Sequence, residues 1–277
     1  MHPFIKHIET YKSIDSTKDL AEKYIISKKY DDHFLIIAES QTQGKGRKGN
    51  DWYSPKGGLW FSLVLNYISQ QKCFTLFIGY CVLKTLKDIL STPHKKYVNN
   101  KSFLEYPDRD YRFVEGGEGG EYWSFKIKWP NDIYLNDNKI CGIICSQHIQ
   151  HNMTNIGIGI NTNIPISVKE ISDFPENPEK YYTSIKSILN IEIDNHTYLS
   201  TILVNIFSFL PLFEKQGISL FYDDFQKFDF LKDRYIKIYS GNDFYEGLYQ
   251  GIDLDGNLLL KNKEGQIINI LSGTVVF

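Results

Sequence analysis

Residues 38–52 read Ala-Glu-Ser-Gln-Thr-Gln-Gly-Lys-Gly-Arg-Lys-Gly-Asn-Asp-Trp, and together with residues 53–58 they limit the fold. Gly44, Gly46 and Gly49 are interleaved with Lys45, Arg47 and Lys48, and Trp52 comes next. Glycine lets the backbone fold tightly and turn its amides inward. Lysine and arginine match phosphate or carboxylate oxygens, and an indole offers a face for a base. The spacing Gly44-x-Gly46-x-x-Gly49, after the apolar run 34–38, matches the dinucleotide-binding fingerprint. That fingerprint needs a helix to open directly after the glycines, so that its N-terminus holds a pyrophosphate. Residues 50–58, Asn-Asp-Trp-Tyr-Ser-Pro-Lys-Gly-Gly, contain a proline and two glycines, so no helix starts there. The stretch predicts a loop that wraps an anion between two strands, with a merely solvated basic loop as the alternative.

The chain has 277 residues, enough for one large domain or a large and a small one. Lys plus Arg number 31 against 33 Asp plus Glu, without the basic excess expected of a nucleic-acid binder. No apolar leader opens the sequence and no apolar run approaches 18 residues, which predicts a soluble cytoplasmic protein without membrane contact. Cys73, Cys81, Cys141 and Cys145 form no metal-type pair. On one strand Cys141 and Cys145 would stand roughly 13 Å apart, too far for a disulfide, so buried free thiols are expected.

In chain order, Ser16 with Asp19 starts a helix whose apolar stripe is Leu20, Ala21, Tyr24 and Ile25. The Ser16 and Thr17 hydroxyls cap that helix, and facing a ligand is the second reading for them. Strands are expected at 34–39 and 59–65, with a packing helix over 72–90. From about 94 to 122 the chain is polar and aperiodic, a long loop that suits a lid or a partner surface. A strand at 125–132, a hairpin of 133–135 with 139–147, and a strand at 155–161 come next. That last strand carries glycines on alternate positions, where a ligand or another element approaches the backbone. Residues 165–180 read as loop, and 194–215 as a long helix broken or kinked at Pro211 and stopped by Gly217. A short aromatic helix spans 221–230, and four short strands split by turns then suggest a small barrel. The expected domains are 1–230 and 231–277.

Four polar clusters interrupt the apolar strands: Ser16-Thr17, Gln41 to Arg47, Asn131-Asp132 with Lys139, and Gly157 to Asn161. Such clusters at strand ends converge on one pocket. They offer cations for phosphates, amides and hydroxyls for a polar head, and one carboxylate for Mg²⁺. No nucleophile–base arrangement accompanies them, which points to nucleotide activation of an acid.

The glycine-basic loop Gly44-Lys-Gly-Arg-Lys-Gly49 resembles that of the biotin protein ligases. Trp52-Tyr-Ser-Pro55, Lys128-Trp-Pro-Asn-Asp132, Lys139-Ile-Cys-Gly-Ile143 and Gly157-Ile-Gly-Ile-Asn161 are similar to that family's other motifs, in the same order. The likeness covers nearly the whole chain. It implies an α+β fold, with a mixed β-sheet flanked by helices and a C-terminal SH3-like barrel. It also implies that biotin and ATP form biotinyl-5′-AMP and pyrophosphate, and that biotin then passes to a lysine of a biotin carboxyl carrier protein. By position, Ser16, Thr17, Lys18, Gln41 and Gly44 would bind biotin together with the backbone at Gly142 and Gly157. Lys45, Gly46 and Arg47 would close over its carboxylate and the α-phosphate. Lys139, Arg47 and Asp132 would be catalytic, with Lys139 the main electrostatic residue. Trp52 would cover the adenine near Asn161, and Asn131 and Asp132 would shape the phosphate region, Asp132 as Mg²⁺ ligand. ATP with Mg²⁺ and biotin would be substrates, with no tightly bound prosthetic group.

The chain departs from the family pattern at Lys18, where asparagine is usual, and at Lys45, where arginine is; lysine lacks arginine's bidentate fork. The 94–122 segment looks inserted. No helix-turn-helix precedes Ser16, which predicts no DNA binding. A lipoate- or octanoate-type ligase of the same fold and a non-catalytic biotin or adenylate binding module are the rival readings. The first lacks its arginine-glycine-glycine loop here. The second does not need Lys139 beside Asn131-Asp132.

Overall fold

A computed structural model describes residues 3–91, 124–164 and 183–277. The loops expected at 94–122 and 165–180 lie outside the described residues. Seven strands form the main sheet: β1 (His7–Tyr11), β2 (Phe34–Ala38), β3 (Leu59–Leu65), β4 (Phe125–Lys128), β5 (Asp132–Leu135), β6 (Asn138–His148) and β7 (Met153–Ile160). Their order is β1-β2-β3-β7-β6-β5-β4. β1 and β2 run parallel and the other neighbours antiparallel, so the sheet is mixed, as expected. The sequence pattern does not announce β1. It is an edge strand of five residues, none fully buried, and carries too little apolar alternation to stand out.

The helices are α1 (Thr17–Ile26), α2 (Phe74–Ser91), α3 (Ile185–Leu189), α4 (Asn195–Gln216) and α5 (Tyr222–Phe228). α1 covers one face of the sheet through Ala21 and Ile25, which pack on Phe34, Ile36, Val64 and Met153. On the opposite face α2 and α4 build the main core with Leu35, Leu63, Ile143, Ile156 and Ile158, and Phe77 stacks on Phe213 at 4.2 Å. Every residue of β3 is buried because both faces are covered, which is why its sequence lacks alternation.

The helix is not broken at Pro211: α4 runs from Asn195 to Gln216 through it and is capped by Gly217, close to the expected 194–215. Pro211 lies on the exposed side, where water can serve the carbonyl that loses its partner, while buried Ile206 and Phe213 hold both flanks. With the following turn, Asn195–Leu220 is long and apolar enough to cross a membrane by length and composition. Here its stripe of Tyr198, Leu199, Ile202, Leu203 and Ile206 packs into the main core beside α2.

A second, antiparallel sheet holds β8 (Tyr235–Ser240), β9 (Asp243–Ile252), β10 (Leu258–Lys261), β11 (Ile267–Ile270) and β12 (Thr274–Val276), in the order β11-β10-β9-β8-β12. Its inward residues Ile236, Ile238, Leu258 and Leu260 belong to the same apolar core as α2 and α4. Polar ties reinforce this junction. The Trp129 indole donates to the Gly256 carbonyl at 2.9 Å, and the Tyr249 hydroxyl to the buried Asp229 carboxylate at 2.6 Å.

Candidate active site

Strand register builds the floor of the site. Across β3, β7 and β6, Trp60, Gly159 and Gly142 stand in one row, then Ser62, Gly157 and Ile144, then Val64, Asn155 and Ser146. Val64 packs beneath α1, so all three rows face that helix and turn away from the main core. Gly142, Gly157 and Gly159 therefore form a track of bare backbone on the α1 side. Trp52 lies on it. A Cβ added to Gly159 would come within 2.5 Å of the indole, and one on Gly142 within 2.9 Å. Trp52 is itself only 8% exposed.

The loop that delivers this indole closes on itself. Trp52 N–H donates to the Gly44 carbonyl at 2.8 Å, Gly46 N–H to Asn50 at 2.6 Å and Gln41 N–H to Ser54 at 2.9 Å. Lys45 and Asp51 are bridged through their backbones. No α-helix comes after the glycines, only a three-residue 3-10 turn at Arg47–Gly49, so the non-Rossmann reading agrees with the structure.

A chain of hydrogen bonds links the helix start to this loop. Ser16 caps α1 by accepting from Asp19 N–H at 3.2 Å. The Gln41 carboxamide oxygen accepts from Thr17 N–H at 2.8 Å and from the Thr17 hydroxyl at 3.1 Å. The Gln41 amide donates to the Ser54 hydroxyl at 2.8 Å, and Ser54 donates to the Trp52 carbonyl at 3.0 Å. Ser62 donates to the Thr17 hydroxyl at 3.0 Å. The chain fixes these donors and acceptors in place, which lowers the ordering cost of any contact they make.

The cations gather at the other end. Arg47 reaches Asn131 Oδ1 with Nη1 at 2.9 Å, and burial lowers its pKa against the opposing pull of Asp132. Asn131 is pinned by its own amide on the Ile143 carbonyl at 2.9 Å. Lys139 Nζ stands 2.8 Å from Asp132 Oδ1 and 4.9 Å from the centre of the Trp52 ring. Both members of that ion pair are largely shielded, at 23% and 17% side-chain exposure. Asp132 thus balances Lys139, and among the described residues no cluster of three His, Cys, Asp or Glu could hold a metal. The donor set fits Mg²⁺ only as an ion that arrives on a nucleotide's phosphates.

Lys18 lies beside the track: its stem is 3.7–3.8 Å from the position a Gly157 Cβ would take, and its ammonium pairs with Glu22. Asn161 is 3% exposed and donates to the Thr183 carbonyl at 2.9 Å. The structure also adds Ser54, Ser62 and Asn155, which sequence reasoning missed, and it puts Gly159, already within the Gly157–Asn161 cluster, under the Trp52 indole. Ser62 had a signal, a lone hydroxyl inside Leu-Trp-Phe-Ser-Leu-Val-Leu. Gly159 had its alternation with Gly157. Ser54 and Asn155 had none. The four thiols are free as expected, and burial pushes Cys73 up to about 12.

The site is thus a mixed sheet whose glycine face carries an amide–hydroxyl chain at one end and shielded cations at the other. The chain belongs to the Biotin/lipoate A/B protein ligase family, whose sequence model matches residues 10–163. A second model, the Biotin protein ligase C terminal domain, matches residues 234–277. Among relatives, the chain is 28% identical to the bifunctional ligase/repressor BirA of Bacillus spizizenii over 83% of its own length and 62% of that protein's. It is 26% identical to that of Bacillus subtilis, over 94% and 71%. The fold is similar to a biotin protein ligase from Aquifex aeolicus in complex with biotin and ATP, with TM-score 0.73, 24% identity and 98% coverage of both chains.

Proposed function

We propose that this protein activates biotin with ATP, forming biotinyl-5′-AMP and pyrophosphate, and transfers the biotinyl group to a lysine of a biotin carboxyl carrier protein. The observation that carries this reading is the placement of Lys139, Asp132, Arg47 and Asn131 beside a glycine track capped by Trp52. A carboxylate oxygen attacks the α-phosphorus, the bond to the pyrophosphate oxygen breaks, and both reactants are anions. Fixed ammonium and guanidinium charges in a shielded site lower that barrier most. Lys139, held between Asp132 and the indole, would exchange its carboxylate partner for the reacting oxygens. In the second step a neutral lysine amine attacks the acyl carbon and AMP leaves; the amine's proton passes to solvent. Thr17, Gln41 and Ser62 would orient the biotin head and the track would carry the chain of the acid, with reactants aligned in advance.

The match of residues 234–277 to the Biotin protein ligase C terminal domain favours biotin over lipoate or octanoate. It also supports a domain boundary near residue 231, with the second sheet starting at Tyr235. Four free thiols suit the cytoplasm. The test is acid-dependent ATP–pyrophosphate exchange with Mg²⁺. Biotin is expected to support exchange while lipoate and octanoate do not. Exchange with lipoate alone would move the substrate assignment, and calorimetric binding of biotin without any exchange would favour the binding module.

A further inference from the structure

Asn155 stands on the same face as Gly157, one alternation further along β7, in the row with Val64 and Ser146. It is fully buried. Its amide donates to the Lys18 carbonyl at 3.1 Å, at the start of α1, while its Oδ1 has no hydrogen-bond partner among the described residues. A buried amide oxygen left without a donor is costly and calls for an explanation. Lys18, whose carbonyl Asn155 holds and whose stem lies against Gly157, brings an ammonium to this face of the sheet. That ammonium is bound to Glu22 one helical turn on. The acceptor thus stays unpaired one strand row from Ser62 and Gly157, where Ser62 bonds Thr17 and Thr17 bonds Gln41.

We propose that Asn155 is a specificity-determining residue that accepts an N–H from the cyclic urea of the bound acid, and that Glu22 is a positioning residue that keeps the Lys18 ammonium off that oxygen. The inference rests on the proposed activation of biotin and adds the residue that separates a urea-bearing acid from an apolar one. An acid with a hydrocarbon or dithiolane head brings no N–H, so it leaves the acceptor unpaired and forfeits discrimination. Sites that hydrogen-bond a substrate group reject analogues lacking it far more strongly than apolar pockets distinguish sizes.

The experiment is pyrophosphate exchange on the full chain with biotin, desthiobiotin and octanoate, comparing wild type with Asn155→Leu. Loss of one hydrogen bond is expected to raise KM for biotin and desthiobiotin about tenfold, leaving KM for ATP unchanged. The preference for either urea-bearing acid over octanoate falls by the same factor. Where Asn155→Leu does not fold, Glu22→Ala on the helix surface carries the test. It is expected to raise KM for biotin about fivefold at unchanged kcat, whereas Glu22→Gln, whose amide oxygen still accepts from the ammonium, is expected to stay near wild type. A biotin KM unchanged in Asn155→Leu, or equal biotin KM values in Glu22→Ala and Glu22→Gln, overturns the proposal. Wild-type protein that exchanges with no urea-bearing acid overturns the functional reading itself, a result visible before any variant is made.

Discussion

At the scale of single residues, two positions concentrate the chemistry. Among the described residues Lys139 is the only cation seen both on a shielded carboxylate and over the indole, so its charge is central to joining two anions. Lys139→Met is expected to cut the exchange rate by roughly 100- to 1,000-fold, the scale of removing one preorganised electrostatic partner, while circular dichroism stays that of a folded protein. A near-normal rate in that variant would remove Lys139 from the mechanism. Gly159 makes a different demand. A Cβ there would come within 2.5 Å of the Trp52 Nε1, so Gly159→Ala is expected to push the indole off the track. KM for ATP should rise, and tryptophan emission should shift to the red as Trp52 meets water; unchanged emission would mean that the floor has room to spare. Gly159 was half-visible in the sequence as one of two alternating glycines. That it lies under Trp52 was not, because the two residues are far apart in the chain and only strand register joins them.

At the scale of elements, the sequence located most helices and strands, since each carries a local signature. α1 has its Ser16 cap and apolar stripe, and the β5–β6 hairpin has its turn between two strand-like runs. It left a break or a kink open at Pro211, and the helix runs on unbroken because burial of residues on both sides competes with the local rule against proline. The segment after α5 gives a further test. Asp229 accepts from Tyr249 and from Leu231 N–H, yet burial raises its pKa from 3.8 to about 6, those bonds only partly opposing it. The folded state therefore keeps a proton that the unfolded chain releases between about pH 4 and 6. Stability from this group falls as pH rises through that window, by on the order of 3 kcal/mol. Asp229→Asn has no proton to lose. The difference in unfolding free energy between variant and wild type should grow in the variant's favour from about pH 4 to 7, and a difference independent of pH would show that the carboxyl does not titrate there.

At the scale of the molecule, the two sheets share one apolar core, with Ile236, Ile238, Leu258 and Leu260 of the second contiguous with Phe225, Phe230 and Leu231 before it. Cys73 at the head of α2 sits against Gly256, and Lys72 pairs with Asp255 across the same junction at 2.7 Å. Continuous burial makes unfolding cooperative. Calorimetry of the whole chain is therefore expected to show one transition, whose calorimetric and van't Hoff enthalpies agree. Two resolved transitions would mean that the second sheet is held more weakly than its contacts imply.

By itself the sequence determined the identity of the parts. The order of glycines and cations from Gly44 to Gly49, the proline and glycines that forbid a helix after them, the cap at Ser16 and the alternating glycines from Gly157 are all local facts, and local sterics and hydrogen bonding act on neighbours in the chain. Tertiary structure decided what those parts meet. Asp132 meets Lys139, Asn161 holds the Thr183 carbonyl, Ser54 and Ser62 complete a chain begun at Thr17, and Asn155 is left with an unpaired oxygen. Each depends on contacts between distant stretches of chain. Those are set by strand register and by which face a helix covers, properties of the folded core that no short stretch of sequence contains.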